Sequence, residues 1–117
     1  MYYIEWGKLK ERKAKDFSEA FGDKGFVEEF NKMATPIGMK YVGGFFASIG
    51  ADHDVEMWYE IENYGVLDKT RNTNAELKAL REKWLGKYGN IFEWSKSKIL
   101  IPISEANLID PSKVKKD

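Results

Sequence analysis

Three glutamates stand out as side chains that could move a proton. Glu56 and Glu60 lie four positions apart in a segment that alternates apolar and polar residues, so both project from one face of a strand. Glu5, in an earlier strand, is expected to face the same cavity. Neighbouring carboxylates in a partly dry site raise one another's pKa, which suits a general base. Glu56 and Glu60 are therefore the candidate catalytic residues; in the competing interpretation they are solvated, or paired with Lys and Arg, at a sheet face or interface rim.

His53 is the other side chain that could accept a proton, because imidazole titrates near neutral pH. It lies between Asp52 and Asp54 in a polar segment typical of a surface turn, which argues against a catalytic role. The chain has no Cys and a single His, so thiolate and multi-histidine metal sites within one chain are excluded. No phosphate-binding glycine loop is present either. The sequence therefore predicts no metal site and no cofactor.

Aromatic side chains in neighbouring strands form the second candidate group. An apolar pocket uses aromatic rings with polar edges to stack and orient a flat ligand. Core packing explains most of these residues without any ligand, and the helically spaced Trp84 and Tyr88 are expected to be core. The candidate ligand-binding residues are Trp58, Trp6, Tyr3, Tyr41 and Glu5.

The first half of the chain predicts a strand, a helical region and a second strand. Residues 2–9 are rich in aromatic and β-branched types, which favours a strand. Apolar residues at intervals of three and four predict a helix over residues 17–33, and the glycines within residues 22–25 predict a break in it. Residues 39–49 are expected to form the second strand, where Gly43 and Gly44 allow a bulge or a close approach by another group.

The second half predicts a strand, a helix and a final strand. Residues 55–62 alternate strictly and form a hairpin with the second strand. Thr73 and Glu76 have the spacing of a capping box, so the second main helix is predicted over residues 74–89. The final strand is predicted over residues 98–103.

This order of elements is that of the ferredoxin-like fold. The sequence thus predicts an α+β βαββαβ arrangement, with a four-stranded antiparallel sheet and two helical regions on one face. The opposite face has no helix to cover it, and Trp58 is expected there among carboxylates. A second copy of the chain is the simplest cover, because two-fold homodimers are the commonest oligomers.

Length and charge limit the number of domains and the partners. The 117 residues suit one domain, predicted over residues 1–104, followed by a polar tail over residues 105–117. The 19 basic and 19 acidic residues cancel, so no net field attracts nucleic acid or an anionic membrane. We find neither a secretory signal nor an apolar stretch of about 20 residues, and we expect a cytoplasmic protein with no membrane partner.

Short motifs along the chain also resemble those of a known family. Gly7-Lys8-Leu9 resembles a turn from the first strand into the first helix, and Tyr41–Phe46 a glycine-containing second strand. Val55–Glu60 resembles a third strand with Trp near its middle, and Leu77–Trp84, after a short helix near Val66, a split second helical region. Together these motifs are similar to those of the dimeric α/β-barrel superfamily and, within it, of the NIPSNAP-like proteins.

The resemblance implies a homodimer whose two sheets pack face to face into a barrel, with a cleft between sheet and helices in each subunit. Related families include cofactor-free monooxygenases acting on aromatic polyketides or quinols, haem-degrading enzymes, isomerases and small-molecule sensors. Haem-degrading members use a His on the second helix, which this chain lacks. The predicted function is binding of a small apolar or aromatic ligand in the cavity between sheet and helices, with cofactor-independent monooxygenase or isomerase chemistry as its enzymatic form. The alternative is a non-catalytic homodimeric interaction or ligand-sensing module of the NIPSNAP-like type.

Overall fold

The computed structural model describes residues 1–22, 24–47, 50–70 and 74–104. The predicted tail, residues 105–117, and Thr73 of the predicted capping box lie outside the described residues. A short 3₁₀ helix, Thr35–Ile37, precedes the second strand. The strands and α-helices, in chain order, are β1 (Tyr2–Leu9), α1 (Ala14–Gly22), α2 (Lys24–Ala34), β2 (Met39–Phe46), β3 (Val55–Ile61), α3 (Gly65–Asp68), α4 (Ala75–Tyr88) and β4 (Phe92–Leu100).

The strands form one antiparallel sheet in the order β2-β3-β1-β4. In the centre of the sheet, Tyr3 of β1 lies opposite Tyr59 of β3 on one side and Ile99 of β4 on the other. Strands β2 and β3 form the expected hairpin. The predicted ferredoxin-like α+β fold, with a four-stranded antiparallel sheet, is confirmed.

Helices α1, α2 and α4 pack against one side of the sheet, which we call the inner face. Side chains alternate across a strand, so Val55, Met57, Tyr59 and Ile61 of β3 all point inward and are buried. They form a core cluster with apolar residues of the three helices, such as Phe17, Phe30 and Leu77. The clean alternation of β3 in the sequence is therefore the signature of a strand with one buried face.

The other side of the sheet, which we call the open face, is also rich in aromatic side chains. Its centre carries Tyr2, Ile4 and Trp6 from β1 beside Glu60, Trp58 and Glu56 from β3, in the cross-strand register. None of these residues belongs to the core cluster that the described residues form. Ile4 is nevertheless only 1% exposed, since its cross-strand neighbours, Trp58 and Lys98, are longer side chains. Neighbouring side chains of the sheet thus bury Ile4 at the centre of the open face, although none of the described helices covers that face.

The two central glycines of β2 have the structural roles expected of them. The register with β3 shifts between Tyr41 and Gly43, so Val42 is the extra residue of a β-bulge. A Cβ atom on Gly44 would lie 2.6 Å from the Tyr41 hydroxyl oxygen and 3.3 Å from the Phe21 carbonyl oxygen. The bulge and the close approach predicted at this point are both confirmed.

The prediction for the last strand was wrong in its boundaries. Strand β4 begins at Phe92 and ends at Leu100, before Pro102, whereas the sequence suggested residues 98–103. Residues 93–98 include exposed charged and serine side chains because β4 lies at an edge of the sheet, and this weakens the apolar periodicity. In contrast, α4 begins after Asn74 and ends before Gly89, as predicted. The Asn74 side chain caps the helix by accepting a hydrogen bond from the Leu77 amide, and Gly89 ends it with a φ of 71°.

In the described part of the chain, no helix has both the length and the apolar character needed to cross a bilayer.

Candidate functional site

A cavity with a volume of about 280 Å³ lies between the inner face of the sheet and the helices, and we call it the inner cavity. This volume is just below the range of about 300–1,000 Å³ typical of small-molecule sites. The sheet contributes Tyr3, Glu5 and Tyr59 to its walls. The helices contribute mainly apolar and aromatic side chains, among them Phe21, Phe26, Phe30, Leu77, Trp84 and Tyr88.

Trp84 and Tyr88 form one wall as a stacked pair. Their rings are nearly parallel, at 6°, with centroids 5.6 Å apart, and the edge of Phe26 meets Trp84 at 90°. Lys87 places its ammonium group 5.1 Å from the centroid of each stacked ring. These ring contacts hold the wall in a fixed orientation, because aromatic pairs prefer such offset-stacked and edge-to-face arrangements.

Glu5 places a carboxyl group in this apolar cavity. The Tyr59 hydroxyl donates a hydrogen bond to it, and Arg81 of α4 lies near enough to act on it electrostatically. Burial raises the pKa of Glu5 above its ordinary value, although the hydrogen bond from Tyr59 and the charge of Arg81 both oppose this shift. Burial also raises the pKa of Tyr59, and the negative charge of Glu5 adds to that effect. The Glu5 carboxyl group can therefore accept a proton from a bound molecule or donate a proton to it.

Tyr41 supports this site from the neighbouring strand without lining the cavity. Its hydroxyl donates a hydrogen bond of 2.6 Å to the Phe21 carbonyl oxygen, which ties β2 to the end of α1. Its ring packs against Tyr59, with centroids 5.2 Å apart, and burial raises the pKa of its hydroxyl. Tyr41 therefore fixes the orientation of the Tyr59 ring, and through it the donor that faces Glu5.

A second polar cluster lies on the open face, around Glu56. The Glu56 carboxylate accepts a hydrogen bond from the Trp58 indole, at 2.8 Å, and contacts Nε2 of His53 at 2.7 Å. The His53 ring lies beside Trp6, with its other nitrogen 3.5 Å from an Asp52 carboxylate oxygen. The pKa of Glu56 is lowered, chiefly by the hydrogen bond from Trp58 and then by that from His53. Glu56 is thus held as a carboxylate, which is the opposite of the raised pKa that a general base at this position requires.

Among the described residues, no group of three or more His, Asp and Glu side chains is arranged to hold a metal ion.

Comparison with known proteins agrees with this architecture. No family model matches the chain, and no curated protein is similar enough in sequence to count as a relative. A NIPSNAP-family protein of unknown function from Agrobacterium tumefaciens superposes with a TM-score of 0.66 at 20% identity, over 86% of this chain and 86% of that chain. An uncharacterized NIPSNAP-like domain protein from Burkholderia xenovorans gives a TM-score of 0.63 at 19% identity, over 88% and 84% of the two chains. The chain shares its fold with these NIPSNAP proteins.

A third similar structure bears on assembly. It is a dimeric protein of unknown function with a ferredoxin-like fold from Bacteroides fragilis, which gives a TM-score of 0.52 at 15% identity and covers 83% of this chain and 90% of that one. At these identities the likeness concerns the fold, and at that level the resemblance to NIPSNAP-like proteins predicted from the sequence is confirmed.

The fold places the predicted site residues on two different sides of the sheet. Tyr3, Glu5 and Tyr41 belong to the inner face, whereas the other four, Trp6, Trp58, Glu56 and Glu60, belong to the open face. The expectation that Glu5 shares a cavity with Glu56 and Glu60 was therefore wrong. Glu5 lies opposite Met57 in the register, so it shares the face of the odd-numbered residues of β3. Trp6 and Trp58 likewise point away from the inner cavity.

Sequence reasoning missed the helical part of the site. Arg81 was not singled out, and Trp84 and Tyr88 were assigned to the core alone, although all three line the inner cavity. Arg81 lies four residues after Leu77 in α4, on the same side of that helix as the cavity-lining Trp84 and Leu85. A basic residue on the apolar side of a helix was the signal that could have revealed it.

Proposed function

We propose that this protein binds a small apolar or aromatic molecule in the inner cavity. The observation that carries the proposal is the cavity itself, a space of about 280 Å³ with aromatic walls and a single acidic group among its described lining residues. Small-molecule sites are concave and mostly apolar, with a few polar groups that orient the ligand. A cleft with aromatic walls and a carboxyl group has this composition, which supports ligand binding.

An NMR titration with 2-tetralone, a neutral bicyclic aromatic ketone, tests this proposal. Trp84 lines the cavity, whereas Trp94 belongs to strand β4 outside it, so the indole N–H signals of the two residues form an internal control. We expect the Trp84 signal to shift on titration and the Trp94 signal to stay in place. Equal shifts at both tryptophans, or none, would contradict binding in the inner cavity.

Filling the cavity gives a second, independent test. Ala20 is a buried lining residue, so a ligand would have to overpack the cavity of Ala20→Leu. Overpacking costs about 1–3 kcal/mol, so this variant should weaken 2-tetralone binding by about 5- to 150-fold. Leu85, which is 57% exposed at the mouth, allows the milder variant Leu85→Trp if Ala20→Leu fails to fold. Leu100→Trp, at an exposed position of β4, is the matched control and should leave the affinity unchanged.

We also propose that the protein is a homodimer formed through its open face. Trp58, Phe45 and Tyr2 form a ring cluster there, with Phe45 and Tyr2 each 6.0 Å from Trp58, and Phe45 is 49% exposed. An exposed apolar patch of this kind is typical of a protein interface. The Bacteroides fragilis protein with a ferredoxin-like fold is itself dimeric, which supports a dimer of this chain. This assembly also serves the alternative function, a non-catalytic interaction or ligand-sensing module.

Sedimentation velocity at micromolar concentration tests the dimer. A stable interface buries about 1,200 Å² or more, and truncating or charging a central aromatic residue typically costs about 2 kcal/mol or more. We expect the wild type to sediment as a dimer and Trp58→Glu as a monomer. Tyr64→Glu is the control, because Tyr64 is 48% exposed just before α3 and outside the sheet. A monomeric wild type, or equal behaviour of the two variants, would contradict the proposal.

A further inference from the structure

We propose that Glu5 transfers protons in the inner cavity, and that its substrates are neutral, ring-containing carbonyl compounds with an acidic C–H bond next to the carbonyl group. The inference rests on the proposed function, since the substrate must occupy the inner cavity. It assigns the acid–base role to a residue on the opposite side of the sheet from Glu56 and Glu60.

The placement of Glu5 is the first support. It lies in the middle of β1 on the inner face, and it is the one acidic side chain among the described residues that line the cavity. The Tyr59 hydroxyl donates to its carboxylate, while the Tyr41 hydroxyl is occupied by the Phe21 carbonyl oxygen. Because strand positions and packed rings hold both partners, the carboxylate has a fixed direction toward the cavity.

The basicity of Glu5 is the second support. Burial raises its pKa, and general-base catalysis is most efficient when the pKa of the base lies near the working pH. The hydrogen bond from Tyr59 and the charge of Arg81 oppose the shift, so they favour the ionised form that accepts a proton. The site thus combines a raised pKa with groups that keep a carboxylate available.

The reaction needs no oxidant or cofactor. The carboxylate of Glu5 takes the proton from the carbon next to the carbonyl, the C–H electron pair becomes a C=C bond, and the carbonyl π pair moves onto oxygen to give an enolate. The protonated Glu5 then returns the proton to the same carbon, or to the far carbon of a conjugated enolate. If the carboxylic acid proton of Glu5 is replaced by one from solvent before it returns, the first outcome exchanges the substrate hydrogen with solvent. The second outcome moves a double bond, which is an isomerisation.

The charges and walls of the cavity define the class of substrate. Among the described lining residues, Arg81 carries the one positive charge, and it faces the same space as the negative Glu5. A neutral ketone meets both groups without a net charge penalty, and the positive potential of Arg81 stabilises an oxygen that becomes negative. The stacked Trp84 and Tyr88 rings favour a flat ring system attached to that carbonyl.

Exchange of the α-hydrogens of 2-tetralone in D₂O, followed by proton NMR, tests the inference without knowledge of the natural substrate. We expect the wild type to accelerate exchange and the rate to rise with pH until Glu5 is fully ionised. Glu5→Gln should lower the protein-catalysed rate by about 100-fold or more. Glu93→Gln, at an exposed carboxylate of β4 paired with Lys8, is the matched control and should exchange as fast as the wild type.

The outcomes separate this inference from the proposed function. If 2-tetralone shifts the Trp84 signal in both wild type and Glu5→Gln but neither accelerates exchange, the binding proposal stands and the role of Glu5 is refuted. If Glu60→Gln abolishes exchange and Glu5→Gln does not, the chemistry lies on the open face and the inference is overturned. If 2-tetralone does not reach the cavity at all, the proposed function fails, and the inference fails with it.

Discussion

Replacing Gly44 by Ala should destabilise the protein much more than the same change at the adjacent Gly43. The new Cβ at Gly44 would lie 2.6 Å from the Tyr41 hydroxyl oxygen, which is closer than real Cβ contacts allow. Tyr41 cannot easily move away, because it is 3% exposed and its ring packs against Phe26 and Tyr59. The substitution therefore forces either the sheet or the Tyr41 side chain out of position.

The magnitude follows from two costs. Overpacking a well-packed site costs about 1–3 kcal/mol, and loss of the hydrogen bond from Tyr41 to the Phe21 carbonyl costs about 1 kcal/mol more. The sum is about 2–4 kcal/mol, which at roughly 4 °C per kcal/mol for a domain of this length lowers the Tm by about 8–16 °C. At Gly43, a Cβ would meet only the Phe45 ring, at 3.4 and 3.6 Å. Gly43→Ala should thus leave the Tm unchanged or raise it slightly, since Ala restricts the unfolded chain.

Thermal unfolding followed by circular dichroism measures both variants. A third experiment isolates the cause. In a Tyr41→Phe background the oxygen that clashes is absent and its hydrogen bond is already lost, so Gly44→Ala should cost at least about 1 kcal/mol less than in the wild type. Equal Tm losses for Gly43→Ala and Gly44→Ala, or an unchanged cost in the Tyr41→Phe background, would refute the role assigned to this contact.

Three further predictions concern stability. The stabilisation that comes with the raised pKa of Glu5 is fully present below the pKa of the unfolded chain, about 4.3, and is lost as pH rises through the folded-state pKa. Glu5→Gln should therefore raise the Tm at pH 7 and change it little at pH 4. An equal gain at both pH values would exclude ionisation as the cause. The pKa of Glu56 is lowered, so its stabilisation of the folded state has the opposite pH dependence and is lost as pH falls through the folded-state pKa. Glu56→Gln should therefore lower the Tm at pH 6, and thermal scans should show the Tm difference from the wild type shrinking as pH falls toward 3. Asn74→Ala removes the side-chain cap of α4 and should cost about 1 kcal/mol in urea unfolding; no change in midpoint would show that the cap is not needed.

The orientation of β3 could be predicted from the sequence, but that of β1 could not. In β3 the apolar residues Val55, Met57, Tyr59 and Ile61 alternate with polar or amphipathic ones, so only one register buries an apolar face. In β1 both faces carry aromatic residues, because Tyr2 and Trp6 lie on one side and Tyr3 on the other. The side on which Glu5 lies depends on its pairing with Met57, a long-range contact that has no local signal.

The position of the inner cavity between sheet and helices was predicted from the sequence, with Tyr3 and Glu5 as candidate ligand-binding residues, but its helical lining was not. The order of elements indicates that a space exists between sheet and helices, whereas its lining depends on how each helix is rotated. Trp84 and Tyr88 have the spacing typical of core residues, and this spacing is the same whether their rings pack against other side chains or line a cavity. The open face, in contrast, was anticipated around Trp58, because a sheet with helices on one side must leave its other side uncovered.

In each of the strands β1 and β3, alternate residues belong to the inner face and to the open face, so each segment of sequence specifies part of both surfaces. In both strands the odd-numbered residues lie on the inner face, where Tyr3, Glu5 and Tyr59 line the inner cavity, and the even-numbered residues lie on the open face. If the two proposals hold, a substitution at an odd position that lines the cavity changes which ligand fits, and one at its even-numbered neighbour changes how the open face associates. Selection can then act on ligand choice and on association separately, within the same few residues and without moving the backbone. Two proteins with this fold that differ only at alternate positions would differ in one of these properties and keep the other.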